Sequence, residues 1–99
     1  MSKILNIGIA GFGTIGKVIG KALDDGIPGL KLVAITSGNL EKAKENISDF
    51  NHTVAVMSAE ELIDKVDIIV ECAPTSAFMS IAEPCLKKGK TLFTVSGPP

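Results

Sequence analysis

Three glycines set between an apolar run and a helical pattern constrain this chain more than any other feature. Residues 4–10 are mostly apolar, and Gly11, Gly13 and Gly16 follow at once, opening the helical pattern. The spacing G-x-G-x-x-G by itself is a weak sign. It is far more specific where it leaves a strand and enters a helix. Each glycine has a separate task. Gly11 permits a tight turn off the strand, Gly13 keeps side-chain atoms away from a diphosphate lying on the backbone, and Gly16 lets the helix lie against the strand. A diphosphate so placed faces the free N–H groups and positive dipole end of a helix starting near Thr14. Two other uses of such a turn compete. One is a structural corner that binds nothing; the other is the nucleotide turn of a methyltransferase, against which the full three-glycine spacing argues.

The remaining composition narrows the class. A chain of 99 residues, 45% of them hydrophobic, supports one packed core, read as a single domain over 1–99. The formal net charge is −1 with no basic block, so nucleic-acid binding has no electrostatic footprint. No apolar run approaches the length of a membrane span, and residues 1–3 lead directly into the first strand rather than into a signal peptide. The expectation is a cytoplasmic protein without a membrane partner. Cys72 and Cys85 lack C-x-x-C spacing and neighbouring histidines. They read as two buried thiols, not as a metal site.

Ile15, Val18, Ile19, Ala22 and Leu23 recur at i, i+3, i+4, i+7 and i+8, which predicts a helix over 14–25 with that face inward and Lys17, Lys21 and Asp24 pointing elsewhere. Gly26, Pro28 and Gly29 turn the chain into a buried strand at 30–36. Asn39 is placed to cap a short polar helix at 40–47, and a polar connection, 48–52, leads to a strand at 53–57. Ser58 and Glu61 have the form of a capping box for a helix at 59–65 with Leu62 and Ile63 inward. A fourth strand at 66–71 and a loop at 72–75 precede a helix that Ser76 can cap, whose face is Phe78, Ile81, Ala82, Cys85 and Leu86. Pro84 inside that face costs about 3 kcal/mol or kinks the helix, so a bend or a late start is expected. The fifth strand covers 91–96.

Strands that are nearly continuous in apolar residues and alternate with helices mean a parallel sheet covered on both faces. The predicted class is therefore α/β, a Rossmann-type doubly wound sheet of five strands in the order 3-2-1-4-5. A sixth strand and a second domain are missing from the pattern, as though the domain were cut after strand five. Ligands of such sheets collect beyond the carboxyl ends of the strands where the order reverses, here between strands one and four. Residues 11–15, 36–39, 72–75 and 96–97 emerge there. They are placed to meet, in turn, a diphosphate, an adenosine ribose, a nicotinamide ribose and the nicotinamide.

The ribose position departs from the simple fingerprint. An NAD site usually carries Asp or Glu near the end of strand two, whereas Thr36, Ser37, Gly38 and Asn39 stand here. Without a carboxylate nothing repels the 2′-phosphate of NADP, and Ser37 and Lys42 are placed to approach it. The reading leans to NADP, or to use of both cofactors. The competing reading makes Ser37 a turn residue and Lys42 a solvated charge. His52, the single histidine, sits in a polar loop away from the cleft, and Glu71 reads as structural. Lys44, Lys87, Lys88 and Lys90 read as solvated helix ends.

Several stretches together resemble the L-aspartate dehydrogenase family. They are Ile7-Gly-Ile-Ala-Gly-Phe-Gly-Thr-Ile-Gly16, Gly26-Ile-Pro-Gly-Leu30, Asp67-Ile-Ile-Val-Glu-Cys-Ala-Pro74, and Ala82-Glu-Pro-Cys-Leu86 running to Gly89-Lys90. The resemblance extends over nearly the whole chain but resembles only the amino-terminal, cofactor-binding half of that family. It implies cofactor contact at Gly11, Phe12, Gly13, Thr14, Ile15, Ser37, Cys72, Ala73 and Pro74. It also implies hydride transfer between the α-carbon of aspartate and nicotinamide by way of iminoaspartate. The family's acid–base histidine and substrate contacts belong to a second domain, so no catalytic residue and no metal ligand is assigned here. Ser96-Gly-Pro-Pro99 departs from the family's loop after strand five. A family of sugar-type NADP oxidoreductases ranks second; its lysine after that strand has no counterpart at Ser96-Gly97-Pro98.

Two functions follow. In the first, the chain is the NAD(P)-binding domain of an aspartate dehydrogenase-like oxidoreductase, inactive alone and completed by a missing catalytic domain. In the second, it is a stand-alone, non-catalytic nucleotide-binding module. The open edge at strand five predicts self-association.

Overall fold

The computed structural model describes residues 3–38, 40–72 and 78–95. Its elements are β1 (Leu5–Ala10), α1 (Thr14–Gly26), β2 (Leu30–Thr36), α2 (Leu40–Asn46), β3 (Ala55–Val56), α3 (Ala59–Lys65), β4 (Ile68–Glu71), α4 (Phe78–Lys87) and β5 (Thr91–Thr94). The five strands form one parallel sheet in the order β3-β2-β1-β4-β5, as the strand–helix alternation implies. The neighbours of β1 are β2 on one side and β4 on the other, so the chain reverses its direction of travel across the sheet between β1 and β4.

Alternation along the strands feeds two cores. Ile7, Ile9, Leu32 and Ile35 point to the α1/α2 side, where they meet Phe12, Leu23, Ala43 and Val54. Ala10, Ala34 and Ile69 point to the other side, against Leu62, Ile63 and Val66 around α3 and Ile81 and Cys85 of α4. Burying both faces is why these strands carry few polar residues.

Local signals place the helices closely. The Ser58 hydroxyl accepts the Glu61 N–H at 3.3 Å and donates to Glu61 Oε1 at 3.2 Å, so the predicted cap starts α3. Helix α4 runs on through Pro84, with Ile81, Ala82 and Cys85 buried. The predicted caps Asn39 and Ser76 lie outside the described residues.

Four expectations need correction. In α1 the buried face is Gly16, Gly20, Leu23 and Asp24, whereas Ile15, Val18 and Ala22 are exposed, Val18 at 66%. The cause is Phe12, whose ring fills the space that a larger side chain at Gly20 would claim and so rotates the helix to present its glycines to the sheet. Leu86 is exposed, whereas Ile81, Ala82 and Cys85 of the same predicted face are buried. The strands predicted at 53–57 and 66–71 shorten to the stretches that find a pairing partner, Ala55–Val56 and Ile68–Glu71; the one predicted at 91–96 is paired over Thr91–Thr94, and Ser96 lies outside the described residues. Lys88 is also more than a solvated charge, since its ammonium pairs with Asp64 of α3.

Candidate dinucleotide-binding site

Backbone ladders continue past the strand ends and draw the candidate residues into one row. Gly11 N–H donates to Thr36 O at 2.9 Å, and Cys72 N–H donates to Ala10 O at 2.8 Å. Gly11, Ser37 and Cys72 therefore stand at the carboxyl ends of β1, β2 and β4, over the reversal of strand order.

The turn between β1 and α1 is shaped by its glycines. Gly11 adopts a φ of 88°, a region that side chains strongly disfavour. Gly13 N–H donates back to Gly11 O at 3.0 Å, closing the turn. A Cβ built on Gly16 lies 2.8 Å from Gly11 O and 3.4 Å from Ile9 Cγ2, so the absence of a side chain there lets α1 rest on β1. A Cβ built on Gly13 meets nothing within 4 Å. The space over Gly13 is thus open, which is the room a diphosphate needs.

The first bond of the helical ladder is Lys17 N–H to Gly13 O, 2.9 Å. The amides of Thr14, Ile15 and Gly16 precede it and have no acceptor within the helix. With the positive end of the α1 dipole behind them, they make an anion site. No acidic side chain lies in the first turn of α1 to compete for those amides. The residues present fit a dinucleotide's diphosphate.

A groove of about 680 Å³ continues from the turn between α1 and α2, lined by Gly13, Lys17, Lys21 and Lys42, with Asp25 as its one anion. Sequence reasoning treated Lys17 and Lys21 as outward charges. Their spacing of four residues on the helix that opens at the glycine turn was the signal that they share one wall.

The other candidates sort by side-chain direction. Ile15 projects an exposed side chain beside the turn, and Ser37 is half-buried at the end of β2. The Phe12 ring is buried in the core, so what Phe12 presents to a ligand is its backbone. Cys72 is half-buried beyond β4; burial, and then the charge of Glu71, push its thiol up from the usual value. Cys85 is buried among α3 and α4, where desolvation raises its thiol as well. Thr14 opens α1 at the turn. Ala73 and Pro74 lie outside the described residues.

Two groups with acid–base potential are already engaged within the fold. Glu71 is fully buried, and Oε1 accepts the Thr94 hydroxyl at 2.8 Å. His52 lies beyond the far end of α1, its Nδ1 3.0 Å from Asp24 Oδ1. Asp24, expected to face outward, is buried at 3% exposure and accepts the N–H groups of Asn51 at 2.6 Å and His52 at 2.9 Å. Burial alone pushes the Asp24 carboxyl up; the bonds from Asn51 and from the His52 ring and backbone outweigh it and hold the group below the usual carboxylate range. Among the described residues no three His, Cys, Asp or Glu side chains gather as a metal site, and no helix is long and apolar enough to cross a membrane.

Comparison with known proteins agrees with this geometry. The sequence profile described as the homoserine dehydrogenase NAD-binding domain matches residues 11–97. The chain belongs to that family. It is 38% identical over 95 residues to an L-aspartate dehydrogenase of Bradyrhizobium diazoefficiens, covering 96% of this chain and 34% of that protein. It is 31% identical over 93 residues to L-aspartate dehydrogenase 3 of Bordetella bronchiseptica, covering 93% of this chain and again 34% of the relative. The chain thus spans about a third of the length of the curated relatives it matches, and is an NAD-binding domain of the family named above.

Solved structures share the fold. The myo-inositol dehydrogenase of Lactobacillus casei in complex with NAD(H) and myo-inositol superposes with a TM-score of 0.83 at 22% identity, over 92% of this chain and 28% of that one. A probable dehydrogenase from Thermotoga maritima gives a TM-score of 0.78 at 27% identity, over 91% of this chain and 27% of that one.

Proposed function

We propose that this family member binds NADP(H), in preference to or alongside NAD(H), as the cofactor half of an enzyme acting on L-aspartate. The observation that carries the reading is the open, amide-lined turn at Gly11, Gly13 and the start of α1, set where the strand order reverses. Gly11, Phe12, Gly13, Thr14 and Ile15 hold the diphosphate region, Ser37 the adenosine ribose, and Cys72, Ala73 and Pro74 the nicotinamide ribose. When bound, the nicotinamide supplies hydride donor and acceptor chemistry.

Preference for the 2′-phosphate is supported by the lysine-lined groove beside Gly13 and by the lack of a carboxylate at 36–39. A charge-assisted bond to that phosphate is worth roughly 1.5–3 kcal/mol, enough to set a preference. Aspartate as the substrate is supported by the L-aspartate dehydrogenases that match at 31–38% identity.

Glu71 is committed to Thr94, and His52 to Asp24 at the far end of α1. In this reading the acid–base residues for turnover come from a further domain or a second polypeptide. Exposed Phe93 and Val95 at the β5 edge, with Met79 and Leu86 on α4, offer apolar surface for such a partner or for a second copy of the chain. The two free thiols suit the cytoplasm.

Fluorescence titration with NADPH and NADH tests the reading. Binding at micromolar or weaker affinity, tighter for NADPH, with no aspartate-dependent turnover by the chain alone, is the expected result. Failure of both dinucleotides to bind would overturn it.

A further inference from the structure

Phe12 occupies the middle of the glycine turn, with its backbone at the diphosphate site and its ring in the core. Two features hold that ring. A Cβ built on Gly20 lies 2.9 Å from Phe12 Cε1, so Gly20 is the floor of a slot that only a residue without a side chain leaves open. Across the slot Phe50 meets Phe12 edge to face, with centroids 6.2 Å apart and planes at 71°.

Phe50 is itself held from α1. Asp24 accepts the backbone N–H groups of the next two residues, Asn51 and His52, one on each carboxylate oxygen, and also faces the His52 ring. Lys21 stands 3.7 Å from Asp24 Oδ2 and 5.5 Å from the centre of the Phe50 ring. A buried carboxylate thus buckles the segment after α2 onto α1, and the segment presses its one aromatic ring against the ring inside the turn.

A turn with glycine on either side of Phe12 has little local preference to hold it. Binding to a loose turn costs the ordering free energy, which preorganisation removes beforehand. We infer that Phe50 and Asp24 are positioning residues for the dinucleotide. Through Phe12 they hold the Gly11–Gly13 backbone in the conformation that leaves the Thr14, Ile15 and Gly16 amides open to the diphosphate. The inference rests on the proposed dinucleotide site and goes beyond it, since neither side chain touches the ligand path.

The test uses the whole 99-residue chain and the variants Phe50→Leu, Phe50→Tyr and Asp24→Asn. NADPH, ADP-ribose and AMP are titrated, and amide hydrogen exchange is followed at Gly11 and Gly13 and, as a control, at Ile69 in β4. Phe50→Leu keeps apolar bulk but loses the edge-to-face pair. It is expected to weaken NADPH and ADP-ribose alike by about two- to tenfold, the range such a pair is worth. AMP, which lacks the diphosphate, changes less than twofold. Exchange at Gly11 and Gly13 speeds by a similar factor while Ile69 is unchanged. Phe50→Tyr restores both readings, and Asp24→Asn moves them in the same direction as Phe50→Leu.

If the wild-type chain binds NADPH and both Phe50→Leu and Asp24→Asn leave affinity and turn exchange as they were, this inference fails alone. Equal acceleration at Ile69 also overturns it, by reducing the pair to core packing. If the wild-type chain binds neither NADPH nor ADP-ribose, the site reading fails first and the inference falls with it.

Discussion

Substituting the two turn glycines one at a time separates binding from folding. At Gly13 the backbone is extended, with φ −95° and ψ −150°, and an added Cβ meets no protein atom within 4 Å. The side chain of Gly13→Val therefore starts into open space, and its stability cost is expected to stay within about 1 kcal/mol, as at an exposed position. The new side chain does fill the space assigned to the diphosphate. Two amide bonds to a charged phosphate, at about 1.5–3 kcal/mol each, put the loss at about 3–6 kcal/mol, a hundredfold or more in affinity. At Gly16 the added Cβ lies 2.8 Å from a backbone oxygen. Gly16→Ala forces α1 off β1 at an overpacking cost of about 1–3 kcal/mol, offset in part by roughly 1 kcal/mol of helix propensity. A chain of this size loses about 4–8 °C in Tm per kcal/mol. Thermal denaturation beside NADPH titration measures both. Gly13→Val should keep its Tm and lose the ligand, while Gly16→Ala should lose Tm. Unimpaired NADPH binding by Gly13→Val would refute the assignment of the diphosphate to that turn.

Other perturbations follow from single contacts. Ser37→Asp places a carboxylate where the fingerprint of an NAD site has one, and should lower NADPH affinity relative to NADH by about tenfold or more, read by parallel titrations. Asp24 is held below its ordinary value of 3.8, so its contribution to stability is complete above that pH. It is lost as pH falls through 3.8 and then through the lower folded value, because the unfolded chain takes up the proton first. Acid denaturation should accordingly be shallower in Asp24→Asn than in wild type; His52 and Lys21 face the same carboxylate and belong in the fit. Ser58→Ala removes the cap of α3 and should cost about 0.5–2 kcal/mol in urea denaturation, with NADPH binding unchanged.

Much of the architecture was legible in the sequence because it rests on short-range rules. Apolar runs a few residues long mark each strand, the Ser58–Glu61 spacing locates α3, and the glycines at 11, 13 and 16 mark the turn that lies over the strand reversal. Even Pro84 was absorbed, since Ile81, Ala82 and Cys85 supplied enough in-phase burial to carry α4 past it. The inward face of α1 was misread for a reason the pattern does not contain. Periodicity favoured Ile15, Val18 and Ala22, but the space against the sheet was already taken by Phe12, and glycines suit what remained.

What the chain's own order of residues determined is the strand–helix alternation, the sheet it winds into and the bare turn at its first corner, for these depend on neighbours a few positions apart. Only the tertiary structure decided that Asp24 is buried, that Phe50 leaves its polar loop to brace Phe12, and that Lys42 of α2 joins Lys17 and Lys21 in one groove. Those residues lie far apart in sequence. Their meeting is set by how α1 and the segment after α2 pack on one face of the sheet, which no local propensity encodes.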